Sequence, residues 1–346
     1  MQEMARAALV PPAATGRIAT ILGKLQRSYL HTFLTTIVSA TMCLHNFECR
    51  AQSEAFAATT KTASRTLVAV TISKEVQEVN VLLTATNWLG HFVKDLNQSD
   101  VRILDNGRPA ERITYFQSQT NLPLRVGILI DASASVTNRF KFEQKSAAAF
   151  LQRVLRPGSD LAMLVGFNER PRLIRGLTDH HDLVAQGMKQ FLPEGETAIY
   201  DAVAFACQEL AKLRDSQPTR RALILITDGD DNRSGLSLQQ AVEAALRSET
   251  IIYVLSTNPE YSLSLGDAGE KKMKELAEAT GGRLLRAATD DNVSRAFSKI
   301  QHELRNQYAI GYKPPSARPD GLFHRLVVLG PKRLRLFHRQ GYYASK

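Results

Sequence analysis

Three short segments of this 346-residue chain carry oxygen-bearing side chains, two of them where apolar runs end. Residues 124–131 read Leu-Arg-Val-Gly-Ile-Leu-Ile-Asp, and Ser133 and Ser135 follow Asp131 at alternate positions. A second apolar run, from Ala222 to Ile226, ends in Thr227-Asp228-Gly229. Between them lies Gly195-Glu196-Thr197-Ala198. Asp131, Ser133, Ser135, Thr197 and Asp228 form an all-oxygen set of the kind hard divalent cations prefer, Mg²⁺ or Mn²⁺ before others. Hydroxyls are neutral ligands, so only two carboxylates offset the dication. Such an ion stays electrophilic and takes an anionic ligand from outside, whereas a closed structural site uses more carboxylates.

The elements around these segments must bring them together. From Leu124 onward strand patterns alternate with helical ones, the signature of βαβ units and a parallel sheet. Strands are expected at 124–130, 160–167, 172–175, 222–227, 251–256 and 283–286, and helices at 140–155, 181–191, 198–213, 238–248, 268–280 and 291–306. The fold class is therefore α/β, a doubly wound and mostly parallel sheet with 172–175 as an antiparallel edge. In such sheets ligands bind beyond the carboxyl ends of the strands, at the switch point. Asp131 and Asp228 both sit just past such ends. Residues 65–120 show no helical period. Strands at 66–72, 79–85 and 112–117, with Asp105-Asn106-Gly107 as a hairpin turn, make a small β unit. Residues 308–346 return to strand patterns. Because a lone strand pair is barely stable, this tail is expected to pack with 65–120 into one accessory β domain.

Asp131-x-Ser133-x-Ser135, then Thr197, then Asp228, in this order and strand context, resembles the metal-ion-dependent adhesion site of von Willebrand factor type A domains. The resemblance covers 122–307. It implies that Ser133 and Ser135, and Thr197 in one state, bind the ion directly. It implies also that Asp131 and Asp228 bind it directly or through water, and that a partner carboxylate completes the shell. Residues 90–107, Tyr308-Ala309-Ile310-Gly311-Tyr312 and Arg339-Gln340-Gly341-Tyr342-Tyr343-Ala344 resemble the flanks of the bacterial, exported, acidobacterial-type group of these domains. There are two departures from the pattern. Ala134 stands where glycine is common, and Glu196 stands where glycine often precedes the threonine. Glu196 either adds a carboxylate near the ion or faces solvent.

Residues 1–51 read as an export signal, with a domain order of signal 1–51, linker 52–64, β unit 65–120, α/β domain 121–307 and tail 308–346. Arg17, Lys24 and Arg27 precede an apolar stretch, and Cys49-Arg50-Ala51 offers a small-x-small cleavage site before Gln52. The apolar stretch is shorter than the ~20 residues of a spanning helix, which favours cleavage over an uncleaved anchor. Cleavage would leave Cys207 as the only one of three cysteines, a buried apolar side chain in a helix. The net charge is +10. The late basic residues Lys332, Arg333, Arg335 and Arg339 alternate with Leu334, Leu336 and Phe337 as one charged strand face, and no nucleic-acid motif accompanies them. His180-His181 reads as a solvated turn, and Asp230 and Asp231 as loop solvation.

A metal-dependent phosphoryl hydrolase would also place an aspartate after a first apolar strand, but it needs a second acid two residues on, where Ser133 stands. No phosphate loop, dinucleotide fingerprint or Gly-x-Ser-x-Gly elbow is present. An exported scaffold binding its partner elsewhere is the second alternative. The reading preferred is a non-enzymatic, exported module for the envelope, periplasm or exterior, which binds a protein partner through an Asp or Glu carboxylate. No small-molecule substrate and no nucleic acid are expected.

Overall fold

Residues 78–119, 122–215, 218–258, 267–316 and 319–344 are described in a computed structural model of the chain. The expected export signal with Cys43 and Cys49, the expected linker and the strand expected at 66–72 lie outside them. Four strands come first: β1 (Val79–Thr86), β2 (Arg102–Asp105), β3 (Arg108–Pro109) and β4 (Arg112–Gln119). Asn106 and Gly107 join β2 to β3 with φ of 48° and 78°. This is the double left-handed turn that matches strand twist, and Asn-Gly supplies it at little steric cost.

The α/β region follows as β5 (Leu124–Asp131), α1 (Phe140–Val154), β6 (Leu161–Phe167), β7 (Pro171–Thr178), α2 (His181–Met188), α3 (Ile199–Lys212), β8 (Arg220–Thr227), α4 (Leu238–Arg247), β9 (Thr250–Ser256), α5 (Asp267–Ala279), β10 (Leu284–Arg286) and α6 (Asp290–Arg305). Its strands form one sheet in the order β10-β9-β8-β5-β6-β7. All neighbours are parallel except β6 and β7, so the expected doubly wound sheet with an antiparallel edge is what forms. The β7 edge runs three residues further than the sequence pattern showed.

Both faces of the sheet are covered. Val126, Ile128 and Ile130 of β5 and Ile224 and Ile226 of β8 pack with α1, α2 and α6. Leu129, Leu223 and Leu225 pack with α3, α4 and α5. Every residue of β5 is buried, which explains its unbroken apolar run. Cys207 of α3 belongs to the second core, and burial pushes its thiol up to about 12.

The last strands are β11 (Gln307–Lys313), β12 (Phe323–Leu329), β13 (Arg335–Phe337) and β14 (Gly341–Tyr343). They pair with the first four, giving sheets β13-β1-β11-β4 and β14-β12-β2-β3. The strands that enter and leave the α/β region, β4 and β11, are antiparallel neighbours with Gln307 opposite Gln119. One apolar cluster, including Leu83, Ile103, Ile310, Leu326 and Tyr342, draws on both sheets. Buried Asp105 ties it together, accepting the Tyr312 and Tyr342 hydroxyls at 2.8 and 2.7 Å and facing His324 Nδ1 at 3.2 Å. All described residues fall within one compact unit, and among them no helix is long and apolar enough to cross a membrane.

Candidate metal centre

Strands β5 and β8 are parallel neighbours with Ile130 opposite Ile226, so Asp131 and Thr227-Asp228 emerge side by side. Helix α1 leaves β5 on one face of the sheet and α3 covers the other, which makes this a switch point. Backbone hydrogen bonds join the loops beyond it. Ala134 N–H donates to Gly195 C=O at 3.2 Å and Glu194 N–H to Ala132 C=O at 2.8 Å. Asn232 and Arg233 N–H both donate to Thr197 C=O at 3.1 Å, and Thr197 N–H donates to Asn232 Oδ1 at 2.8 Å. The segments carrying Ser133, Thr197 and Asp228 are thus cross-linked, although they lie far apart in the chain.

Asp131 is 0% exposed. Its Oδ1 accepts Ser133 N–H at 2.9 Å and its Oδ2 accepts the Thr227 hydroxyl at 2.7 Å. Burial raises its carboxyl to about 6; the hydrogen bonds from Thr227 and Ser133 oppose this, and the charge of Asp228 adds to it. Both oxygens are held in place by these hydrogen bonds. The Ser133 and Ser135 hydroxyls lie 3.0 Å apart; Ser133 is buried and Ser135 exposed. Thr197 is buried. Asp228 is half-buried, with its Oδ1 enclosed and without a hydrogen-bond partner.

Among the described residues no three His, Cys, Asp or Glu side chains converge as metal ligands. A hydroxyl-rich set with one orphaned buried carboxylate oxygen fits a hard dication instead.

The departures from the family pattern have simple explanations. Ala134 opens a single 3₁₀ turn, Ala134–Val136, and is not among the residues with positive φ, so glycine is not required there. Glu196 is exposed and faces Arg233 at 3.5 Å, a surface pair of little energetic weight. Gly195 and Gly229 adopt φ of 75° and 102°, which suits glycine at the two loop bends.

Two features of the site were not visible in the sequence. Asp231, read there as loop solvation, instead caps α3. Its Oδ2 accepts Ile199 N–H at 2.8 Å, Tyr200 N–H at 3.2 Å and the Ser234 hydroxyl at 2.5 Å. A carboxylate at a helix N-terminus is favoured by the orphan amides and by the dipole, and it fixes the start of the helix that follows Thr197. The second feature is Glu143, in the first turn of α1, with Thr257 beyond β9. Glu143 is 1% exposed and its carboxyl is pushed up to about 7, first by burial. The nearby Thr257 hydroxyl opposes this without reaching hydrogen-bond geometry, Asp131 and Asp228 add to it, and Arg139 opposes it.

Comparison with known proteins agrees with the fold. The family model for the von Willebrand factor type A domain matches residues 126–230. The chain contains a domain of this class. No curated protein matches it. Among solved structures, an aerotolerance-related membrane protein from Bacteroides fragilis is 19% identical, with 52% of this chain and 98% of that one covered and a TM-score of 0.43. The vWF domain of the type V pili tip protein Mfa5 from Porphyromonas gingivalis is 12% identical, covering 52% and 94%, with a TM-score of 0.44. The PilB minor pilin from Streptococcus sanguinis is 14% identical, covering 53% and 61%, with a TM-score of 0.41, so this chain spans about three fifths of that pilin. These overlaps have no bearing on activity.

Proposed function

We propose that this chain is an exported, divalent-cation-dependent protein-binding module without enzymatic turnover, and that its partner supplies an Asp or Glu carboxylate. The observation that carries the reading is the cross-linked set of oxygens at the carboxyl ends of β5 and β8, with Asp228 Oδ1 buried and unpartnered. Ser133, Ser135 and Thr197 would present neutral hydroxyl oxygens to Mg²⁺ or Mn²⁺, while Asp131 and Asp228 supply charge directly or through water. A bound dication offers a carboxylate an electropositive position that the two aspartates do not fully neutralise. Asp131 orients the Ser133 backbone and the Thr227 hydroxyl, and exposed Ser135 leaves the site open to a partner surface. No histidine or lysine is hydrogen-bonded to Ser133 or Asp131 among the described residues, so no base is placed to activate a nucleophile. The acidobacterial-type subgroup and export are part of the same proposal, supported by the flanking motifs and the order of the N-terminal residues.

Calorimetry with Mg²⁺ and Mn²⁺ tests the site. The full chain should bind, and Asp131→Ala should not. Ser133→Ala and Thr197→Ala should bind more weakly with unchanged far-UV dichroism. Retention of an acidic peptide should require the metal and vanish in chelator. Equal metal affinity in wild type and Asp131→Ala refutes the assignment, and metal-dependent phosphate release from phosphomonoesters would replace it with a hydrolase.

A further inference from the structure

Next to the oxygens already described lie two buried side chains that the five-residue motif does not include, Glu143 and Thr257. Glu143 is almost wholly buried, and neither of its carboxylate oxygens has a hydrogen-bond partner. The Thr257 hydroxyl is buried and unpartnered, as is Asp228 Oδ1. These four oxygens come from three separate elements: the first turn of α1, the loop after β8 and the loop after β9. Thr257 is fixed to the site by its backbone, its N–H donating to Thr227 C=O at 2.9 Å. Glu143 is near enough to Asp131 and Asp228 for each to raise the cost of its charge.

Buried polar atoms are nearly always hydrogen-bonded, and a cluster of orphans calls for a water or an ion. Arg139 is the adjacent cation. It donates to the Thr257 carbonyl, and it is not paired with Glu143, whose oxygens have no partner. A carboxylate so enclosed would favour its neutral form unless a cation compensates it. No three acidic side chains converge as direct ligands among the described residues, so any link from Glu143 to the ion runs through water.

We propose that Glu143 and the Thr257 hydroxyl form the inner wall of the cation site, with Glu143 as a positioning residue that holds cation-bound water from beneath and supplies the third negative charge. This rests on the metal-site reading above. It makes the site more acidic than its motif suggests, and it couples metal loading to the start of helix α1. Carboxylates that hold a ligand of the ion rather than the ion itself change metal affinity by roughly 10- to 100-fold when removed.

The test compares Mn²⁺ binding to the full chain in wild type, Asp131→Ala, Glu143→Gln and Thr257→Val, by calorimetry and by water-proton relaxation of the bound ion. The expected result is binding in wild type, none in Asp131→Ala, an affinity at least tenfold lower in Glu143→Gln with the fold intact, and a smaller loss in Thr257→Val. The relaxation per bound ion should also change in Glu143→Gln, which loss of mere packing would not cause. Wild-type affinity and relaxation in Glu143→Gln, with Asp131→Ala inactive, overturn the inference and leave the metal site standing. Absence of binding in wild type overturns both. If Glu143→Gln does not fold, Thr257→Val decides: a several-fold loss supports the inner wall, and wild-type affinity refutes it.

Discussion

Glu143→Gln should make the metal-free protein more stable at neutral pH and should flatten its pH dependence. The Glu143 carboxyl rises from its ordinary 4.5 to about 7 in the folded chain, chiefly because it is buried. A raised acid binds its proton more tightly folded than unfolded, so stability is fully present below pH 4.5 and is lost as pH rises through 7. At roughly 1.4 kcal/mol for each tenfold change, the full swing is about 3 kcal/mol. The amide of Gln occupies the same volume and carries no proton to lose, so the variant escapes that penalty. Asp131, raised to about 6, shares part of the window and leaves a residual slope. Thermal melts in chelator between pH 4.5 and 8 measure this. The two proteins should melt together at the acid end and diverge by several degrees at pH 8, with the variant higher, and added Mg²⁺ should narrow the gap by stabilising wild type. Parallel pH profiles, or a variant that melts lower at pH 8, would refute the burial of an uncompensated carboxylate.

Other consequences concern the frame that holds the site. Asp105→Ala strands the buried Tyr312 and Tyr342 hydroxyls and His324, and urea melts should show a loss of roughly 3 kcal/mol. Gly282→Ala would drive a methyl to 1.9 Å from the Ile252 carbonyl oxygen; with backbone in the way, about 1–3 kcal/mol should be lost in the same assay. Asp231→Ala removes the acceptor of two α3 amides. It should cost about 1 kcal/mol and speed hydrogen exchange in the first turn of α3 while the sheet stays protected. Deleting 323–346 removes β12 from β2 and β13 from β1, along with the Phe337 ring beneath Arg283 at 3.8 Å. Because the described residues form one compact unit, a single lowered melting transition is expected.

The α/β fold was legible from local pattern because each of its elements announces itself over a few residues. A strand buried on both faces reads as an unbroken apolar run, as β5 does, and Asn106-Gly107 forces its own turn. The loop from Asp131 to Ser135 is equally local, since five residues suffice to place three side chains near one point. Tertiary structure decided the rest. Thr197 and Asp228 share a corner with that loop because hydrogen bonds at Gly195, Asn232 and Arg233 join distant segments. In sequence, Glu143 falls on the apolar face of its helix, three residues after Phe140 and four before Ala147, but helical spacing does not say what that face meets. Only the docking of α1 against the ends of β5 and β8 turns that glutamate inward, beside Asp131 and Thr257. Asp231 likewise looks like a surface loop acid until α3 brings its free amides to it. Sequence determines which side chains can bind a hard cation. Burial and long-range contact determine which of them are held, charged and left unpaired, because those properties depend on neighbours that are remote along the chain.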